Sequence, residues 1–248
     1  MNKCEKNVRR LNSHFKRIKR LRTALWSVFL ALLILLSVTG CSRLDLPRPE
    51  NTSQPSTAGS ERIIEELPAL NQMQLLDEEQ ILGYTAAISE GSPDFDVLRP
   101  GGAADLEQLQ SGVLERVVDG DTLIVQINGQ STRLRLIGID APESFSHHDE
   151  TLRTVEGENV SRIVSALIEP GIRVWLQFDT EEFDKYDRML AYVYLDEHTM
   201  LNELLARFGL VEVKSYRPNT YFHAYLKELE AVAKSENLGI WRSDSRFN

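Results

Sequence analysis

The sequence has few cysteines, no apolar run of full membrane-spanning length, and little positive charge over most of its length. Only two cysteines occur among 248 residues, Cys4 and Cys41, so no disulfide framework can hold together a domain that follows them. The longest apolar run, residues 24–38, is shorter than the roughly 20 residues that a spanning helix needs. Any domain must therefore be stabilised by packing, and 42% apolar residues are sufficient for a core.

Basic residues are concentrated at the N-terminus. Nine of the 28 lysines and arginines, but only one of the 37 acidic residues, lie in the first forty positions. From Cys41 onward the chain therefore has 19 basic and 36 acidic residues and a formal charge of −17. This balance excludes a uniformly basic nucleic-acid-binding surface.

Residues 1–40 have the pattern of an export signal. A basic cluster precedes an apolar run of the length typical of a secretory signal, and Val38-Thr39-Gly40-Cys41 resembles a bacterial lipobox. We therefore expect residues 1–40 to be a lipoprotein signal peptide and Cys41 to be lipidated. The remainder would then be an extracytoplasmic lipoprotein of a bacterial cell envelope, held to the membrane by an N-terminal lipid anchor. An uncleaved signal anchor is the alternative, and it would place the remainder on the same side of the membrane.

Two segments precede the part of the chain with regular strand patterns. Residues 41–60 are rich in proline, serine and threonine, which predicts a flexible linker. Residues 61–110 are acidic, with helix-like apolar spacing that is interrupted by Pro68, Pro93 and Pro100. We interpret them as an acidic, partly helical spacer of unknown role.

Alternating apolar residues begin at about residue 111. They predict strands at 112–118 and 122–127 and a returning strand at 132–137. Asn128-Gly129 separates the last two, and this dipeptide is the strongest short hairpin signal because both residues tolerate positive φ. The period of two places Arg133 and Arg135 on one face of the returning strand.

The rest of the pattern completes an α+β domain that is mainly β. Further strands are predicted at 172–178 and 190–195, and helices at 157–168, 201–208 and 221–236. Five strands with interposed helices predict a five-stranded OB-fold barrel with three helices over residues 111–248.

Carboxylates and arginines in this region suit phosphodiester chemistry. Hydrolysis needs an aligned water and neutralisation of charge on the phosphoryl oxygens. Asp121 and Asp140 offer the hard oxygens that Ca²⁺ prefers, while Arg135 and Arg188 carry planar groups that bind phosphate through two bonds. Each motif taken alone is more often a turn, a solvated strand face or a loop, so only their combination indicates catalysis.

Three motifs together resemble the successive signatures of the staphylococcal (micrococcal) nuclease, or thermonuclease, family. They are VDGDT at 118–122, RLIGIDAPE at 135–143 and DKYDR at 184–188, and the resemblance covers residues 111–242. It implies a monomeric, Ca²⁺-dependent endonuclease that hydrolyses DNA and RNA, preferring single strands and leaving 3′-phosphates. The site residues that it implies comprise metal ligands (Asp121, Asp140 and the Ala141 carbonyl), catalytic groups (Arg135, Glu143 and Arg188) and substrate-binding rings (Tyr186 and Tyr216).

The sequence departs from the family pattern at two places. Asp187 stands where the family usually has glycine, and a carboxylate beside Arg188 would compete with phosphate for the guanidinium. Tyr216 is the only tyrosine of residues 211–216, where the prototype has two. In addition, the run HHDE at 147–150 is interpreted either as a second metal site or as a solvated surface loop.

Two other function classes remain open at this stage. One is a non-catalytic OB-fold module that binds nucleic acid or protein. The other is a structural envelope lipoprotein in which the acidic segment 61–110 is the functional part. Loss of an arginine or of the glutamate would favour the first alternative, and the sequence retains all of these residues.

Overall fold

The computed structural model describes residues 67–70, 74–92 and 95–242. The predicted signal peptide, the predicted lipidation site Cys41 and the predicted linker 41–60 lie outside these ranges. None of the helices within the ranges is long and apolar enough to cross a membrane.

Most of the strands form a closed barrel. The described residues contain seven strands: β1 (Gln110–Asp119), β2 (Thr122–Ile127), β3 (Gln130–Leu136), β4 (Ile139–Asp140), β5 (Arg173–Gln177), β6 (Met189–Tyr194) and β7 (Glu212–Val213). The barrel has the order β1-β2-β3-β6-β5. All neighbours in it are antiparallel except β3 and β6, which are parallel. The predicted five-stranded barrel of OB type is confirmed.

The β2–β3 hairpin forms as its turn residues predict. Asn128 and Gly129 have φ of 52° and 83°, the positive values that a two-residue primed turn requires. Alternate residues of β2 then face the core, where Leu123 and Val125 are fully buried. Turn chemistry and the period of two therefore determine the register together.

Five helices surround or adjoin the barrel. In the described part of the chain they are α1 (Glu78–Gly91), α2 (Phe95–Leu98), α3 (Val155–Leu167), α4 (Leu201–Arg207) and α5 (His223–Ser235). The last three are the helices predicted for the barrel domain. Each turns an apolar face inward; in α3, for example, Val160, Ile163 and Val164 are buried.

The described part of the acidic segment packs on the barrel domain. Leu70, Leu76 and Phe95 are buried in the same apolar core as the barrel strands. The side chain of Asn159, on α3, accepts a hydrogen bond from the Leu76 amide at 2.9 Å and donates one to the Gln74 carbonyl at 3.0 Å. These contacts join the residues just before α1 to α3, the helix that follows the Glu143 loop.

A buried ion pair fixes the end of the same segment. Arg99, just after α2, donates from Nη2 to Glu203 Oε2 at 2.8 Å and to the His198 carbonyl at 2.7 Å. Both charged side chains are almost fully enclosed. Because an unpaired buried charge is costly, this pair makes residues 95–99 dependent on α4 for their position.

A second, two-stranded sheet was not predicted. Ile139 pairs with Val213 and Asp140 with Glu212, joining β4 to β7. Strands of two residues carry no detectable period, so the sequence pattern does not reveal them. This short ladder places residues 212–216 beside Asp140.

Candidate active site

The side chains assigned to the site converge on one cavity of about 840 Å³. The predicted residues that line it are Asp121, Arg135, Asp140, Glu143, Tyr186, Arg188 and Tyr216. Ala141 lies beside this wall through its backbone, and Cys41 is outside the described residues. Three non-contiguous stretches of chain, with Tyr216 from a fourth, therefore form one site.

The turn between β1 and β2 brings Asp121 close to the loop after β4. Gly120 makes this approach possible, because a Cβ there would lie 2.7 Å from both the Ala141 Cβ and the Val160 Cγ1. The Ala141 amide donates a hydrogen bond to Asp121 Oδ2 at 2.7 Å. The glycine of the DGD motif is thus required by packing at the site.

Arg135 connects the two aspartates that were assigned to the metal. Its Nη1 lies 2.9 Å from Asp121 Oδ2, and its Nη2 lies 2.6 Å from Asp140 Oδ1. Nη1 also donates to the Ile139 carbonyl at 2.8 Å. The guanidinium is nearly buried and held from several sides, so its orientation is determined by the protein before substrate arrives.

Two carboxyls that line the cavity, those of Asp119 and Asp121, ionise less readily than ordinary aspartates. Burial raises the pKa of Asp121, although the Arg135 charge and the Ala141 amide oppose the shift. Burial also raises the pKa of Asp119, against hydrogen bonds from the amides of Gly120 and Ser144. A bound cation would relieve this cost, as expected at a functional site. Asp119 was not among the predicted site residues, although it lies in the same DGD motif.

Lys214 is a second site residue that the sequence analysis missed. The β4–β7 ladder places its Nζ 2.5 Å from Asp140 Oδ2, and Tyr216 donates from its hydroxyl to Asp140 Oδ1 at 3.2 Å. The hydrogen bond to Asp140 raises the pKa of Lys214. Asp140 therefore has cationic partners on both oxygens.

Arg188 is held by the loop that precedes it. Asp184 Oδ2 accepts from Arg188 Nε at 2.7 Å, and Asp184 Oδ1 accepts from the backbone amides of Tyr186 and Arg188, both at 2.9 Å. Burial would raise the pKa of Asp184, but these donors outweigh it and hold the pKa below its ordinary value. The guanidinium carbon of Arg188 lies 5.6 Å from the centre of the exposed Tyr186 ring.

Asp187 has the backbone conformation that the family glycine would have. Its φ is 60°, which aspartate tolerates better than most residues. Its side chain is exposed, and within the described ranges the carboxylate that pairs with Arg188 is that of Asp184. Asp184, and not Asp187, is therefore the carboxylate placed to compete with phosphate for Arg188.

Glu143 is positioned by the backbone and open to the cavity. Its carbonyl accepts from the Thr154 amide at 2.9 Å, and α3 packs so closely that a Cβ on Gly157 would lie 2.2 Å from that carbonyl oxygen. The Glu143 side chain remains 39% exposed, and its Oε2 lies 3.5 Å from His147 Nε2. A water can reach this carboxylate from the cavity side.

The donor set fits a hard divalent cation. Asp121 and Asp140 present carboxylate oxygens on either side of Arg135, and oxygen ligands suit Ca²⁺ or Mg²⁺ rather than a thiolate-bound metal. Over the described ranges, no group of three or more histidine, cysteine, aspartate or glutamate side chains is arranged to hold a metal. Backbone carbonyls and water would therefore have to complete the shell around Asp121 and Asp140.

Comparison with known proteins identifies relatives of this domain. The family described as Staphylococcal nuclease homologue matches residues 133–243. The chain is 37% identical over 132 residues to the thermonuclease of Staphylococcus intermedius, which covers 53% of this chain and 76% of that protein. It is 36% identical over 126 residues to the thermonuclease of Staphylococcus hyicus, which covers 51% and 72%. The SPbeta prophage-derived endonuclease YokF of Bacillus subtilis (strain 168) is 39% identical over 140 residues, covering 54% of this chain and 45% of that protein.

These similarities agree with the architecture. The matched part of the chain contains the end of β3 with Arg135, strand β4 with Asp140, the loop with Glu143, and the Asp184–Arg188 loop. The alignments extend over more than two thirds of each thermonuclease, and the barrel is the fold that the strand pattern predicted. The chain belongs to the staphylococcal nuclease family.

Proposed function

We propose that this nuclease is a Ca²⁺-dependent endonuclease that cleaves DNA and RNA, with Glu143 activating the attacking water. The observation that carries the proposal is that one cavity joins Glu143 to two arginines and two aspartates. Each arginine is already oriented by a carboxylate, Arg135 by Asp121 and Asp140, and Arg188 by Asp184. Such preorganised positive charge suits the phosphoryl oxygens of a transition state.

Asp121, Asp140 and the Ala141 carbonyl are the groups that would hold the cation. When bound, Ca²⁺ supplies charge neutralisation on a phosphoryl oxygen and a site for water. The raised pKa of the buried Asp121 carboxyl supports this assignment, because a dication favours its ionised form.

The arginines divide the recognition of phosphate between them. Arg188 uses Nε for Asp184, and no described residue bonds its two terminal nitrogens, which are left for a phosphate. Arg135 has both terminal nitrogens in contact with carboxylates. To contact substrate, Arg135 would therefore have to exchange one of these carboxylates for a phosphoryl oxygen.

Glu143 acts on the water, and exposed rings bind the nucleotide. As a carboxylate open to the cavity, Glu143 accepts a proton from water while the water oxygen attacks phosphorus. The bond from phosphorus to the 5′ oxygen breaks, so the products are a 3′-phosphate and a 5′ oxygen that takes up a proton. The rings of Tyr186 and Tyr216 are 68% and 46% exposed at the rim, where they can stack on unpaired bases. This arrangement favours single-stranded substrate.

Digestion of single-stranded DNA and RNA by the full chain tests the proposal. We expect cleavage with Ca²⁺ and none with a chelator. The Glu143→Gln variant should lose about 10²- to 10⁴-fold in kcat, the usual contribution of a general base. Glu169→Gln, the same change at an exposed position, is the control and should match wild type. Near-full activity of Glu143→Gln would contradict the mechanism and favour a different base.

We also propose that the protein is anchored outside the cytoplasmic membrane through a lipid on Cys41. The support is the lipobox-like Val38-Thr39-Gly40 that precedes this cysteine. A radiolabelled fatty acid should enter the wild-type protein and not the Cys41→Ala variant. Equal labelling of both proteins would rule out lipidation at Cys41.

A further inference from the structure

We infer that His147 is a positioning residue for Glu143: it holds one carboxylate oxygen so that the other faces the water. The inference deepens the proposed function and rests on it. His147 Nε2 lies 3.5 Å from Glu143 Oε2, and the histidine side chain is only 17% exposed. The His147 ring therefore faces Glu143, the proposed general base.

The opposite edge of the ring determines which nitrogen carries the proton. The Asp149 amide donates to His147 Nδ1 at 3.1 Å, so in the neutral ring the hydrogen is on Nε2, which faces Glu143. The Asp149 carbonyl lies 3.2 Å from the same Nδ1 and can accept from it when the ring is protonated. Nε2 carries a hydrogen in both states. The remaining tautomer would direct a bare nitrogen lone pair at the carboxylate, which is electrostatically unfavourable.

The backbone around His147 is fixed as well. Its amide donates to the Ser144 carbonyl at 3.1 Å, and its carbonyl accepts from Arg153 Nε at 2.7 Å. The neighbouring His148 ring lies 4.3 Å from the His147 ring, but among the described residues it has no polar contact with Glu143. The two histidines therefore differ in the one contact that concerns catalysis.

A partly exposed glutamate needs such a restraint to work as a base. Its side chain has several rotatable bonds, and a misplacement of about 1 Å can cost about 100-fold in rate. A donor on Oε2 leaves Oε1 as the oxygen available to water. The present 3.5 Å separation is longer than a good hydrogen bond, and catalytic contacts of this kind shorten when substrate binds.

Two substitutions of His147 separate this role from simple packing. In His147→Gln the side-chain amide can place an N–H near the Nε2 position, whereas in His147→Asn the shorter amide reaches only the Nδ1 position. We expect His147→Asn to lose at least about tenfold in kcat with KM changed less than twofold, and His147→Gln to keep most of the activity. His148→Asn, the matched control, should resemble wild type. Melting temperatures of all variants check the fold.

A double-mutant cycle with Glu143→Gln tests whether His147 acts through Glu143. In that background His147→Asn should have no further effect on the residual rate, measured with a fluorogenic oligonucleotide. A full additional loss there, or equal impairment of His147→Gln and His147→Asn, would overturn the inference. A wild-type rate for His147→Asn beside an impaired Glu143→Gln would overturn it while leaving the proposed function intact. Full activity of Glu143→Gln itself would instead remove the proposed function.

Discussion

At the scale of single residues, the loop before β6 shows how a carboxylate can be assigned to the wrong neighbour. The sequence places Asp187 next to Arg188, but the ion pair is formed by Asp184, four residues earlier. Adjacent side chains in a turn diverge, while Asp184 also bonds the amides of residues 186 and 188. The positive φ of Asp187 was predictable from the family glycine; the direction of its side chain depends on the fold of the loop.

We therefore expect Asp187→Gly to leave KM for a short oligonucleotide unchanged at low salt. Its exposed carboxylate forms no contact with the guanidinium among the described residues, so its removal releases nothing. Asp187→Ala should lower the free energy of unfolding by about 1 kcal/mol, because alanine tolerates positive φ less well than aspartate. Oligonucleotide kinetics at two salt concentrations and urea unfolding measure the two effects. A lower KM for Asp187→Gly at low salt would reinstate the electrostatic competition.

At the scale of helices and strands, regular periods were predictable and short or dependent elements were not. The predicted hairpin, barrel strands and last three helices appear within a few residues of their expected bounds, since each has a turn signal or an amphipathic period. The two-residue strands β4 and β7 have neither. Lys214 was missed for that reason, because only the ladder between them brings it to Asp140.

The segment before the barrel illustrates the same limit. Its apolar spacing indicated helices, and α1 and α2 are present, but nothing in the spacing says what they pack against. The structure places Phe95 in the common core with 2% of its surface exposed, and its carbonyl accepts from the hydroxyl of Tyr225, on α5, at 3.5 Å. Docking of this kind depends on the shape of the partner surface and is invisible to a local pattern.

Phe95→Ala should consequently destabilise the whole domain. Removal of a fully buried phenylalanine costs about 3 to 5 kcal/mol when the cavity cannot collapse. Leu98→Ala is the control within the same helix, because Leu98 is 65% exposed and its removal should cost little. Urea unfolding of the full chain, followed by tryptophan fluorescence, compares them. Equal stability of Phe95→Ala and wild type would show that this segment does not contribute to the folded core.

At the scale of the whole molecule, the question is how an acidic protein handles an acidic substrate. The chain from Cys41 onward has a formal charge of −17, so long-range attraction cannot guide nucleic acid to it. Positive groups are instead placed locally: Arg133, Arg135, Lys185, Arg188 and Arg217 all line the cavity. The motifs were sufficient to predict which side chains gather in this cavity, because the family pattern links distant segments that no single period connects.

We expect bound Ca²⁺ to neutralise the carboxylates of the site. The stability of the fold measures this binding independently of activity. Burial raises the pKa of Asp119 and of Asp121, so at neutral pH these ionised carboxyls destabilise the metal-free fold. A ligand that binds only the folded state at 100 times its Kd adds about 2.7 kcal/mol. For a domain of this size that corresponds to roughly 5 to 10 °C in Tm.

The increase in Tm produced by Ca²⁺ should become smaller as the pH falls. Carboxyls with raised pKa take up protons in the folded state before the unfolded state does, so acidification relieves their cost to the metal-free protein. Acidification also protonates the carboxylates that would bind Ca²⁺. The Tm increase produced by Ca²⁺ should therefore be largest at pH 7 to 8 and disappear as the pH falls to the ordinary aspartate range of about 4. Asp121→Asn should gain little stability from Ca²⁺. Thermal melts of both proteins across this pH range, with Ca²⁺ or with chelator, decide the matter. A Ca²⁺ effect that persists unchanged at pH 4, or in Asp121→Asn, would mean that the ion binds elsewhere.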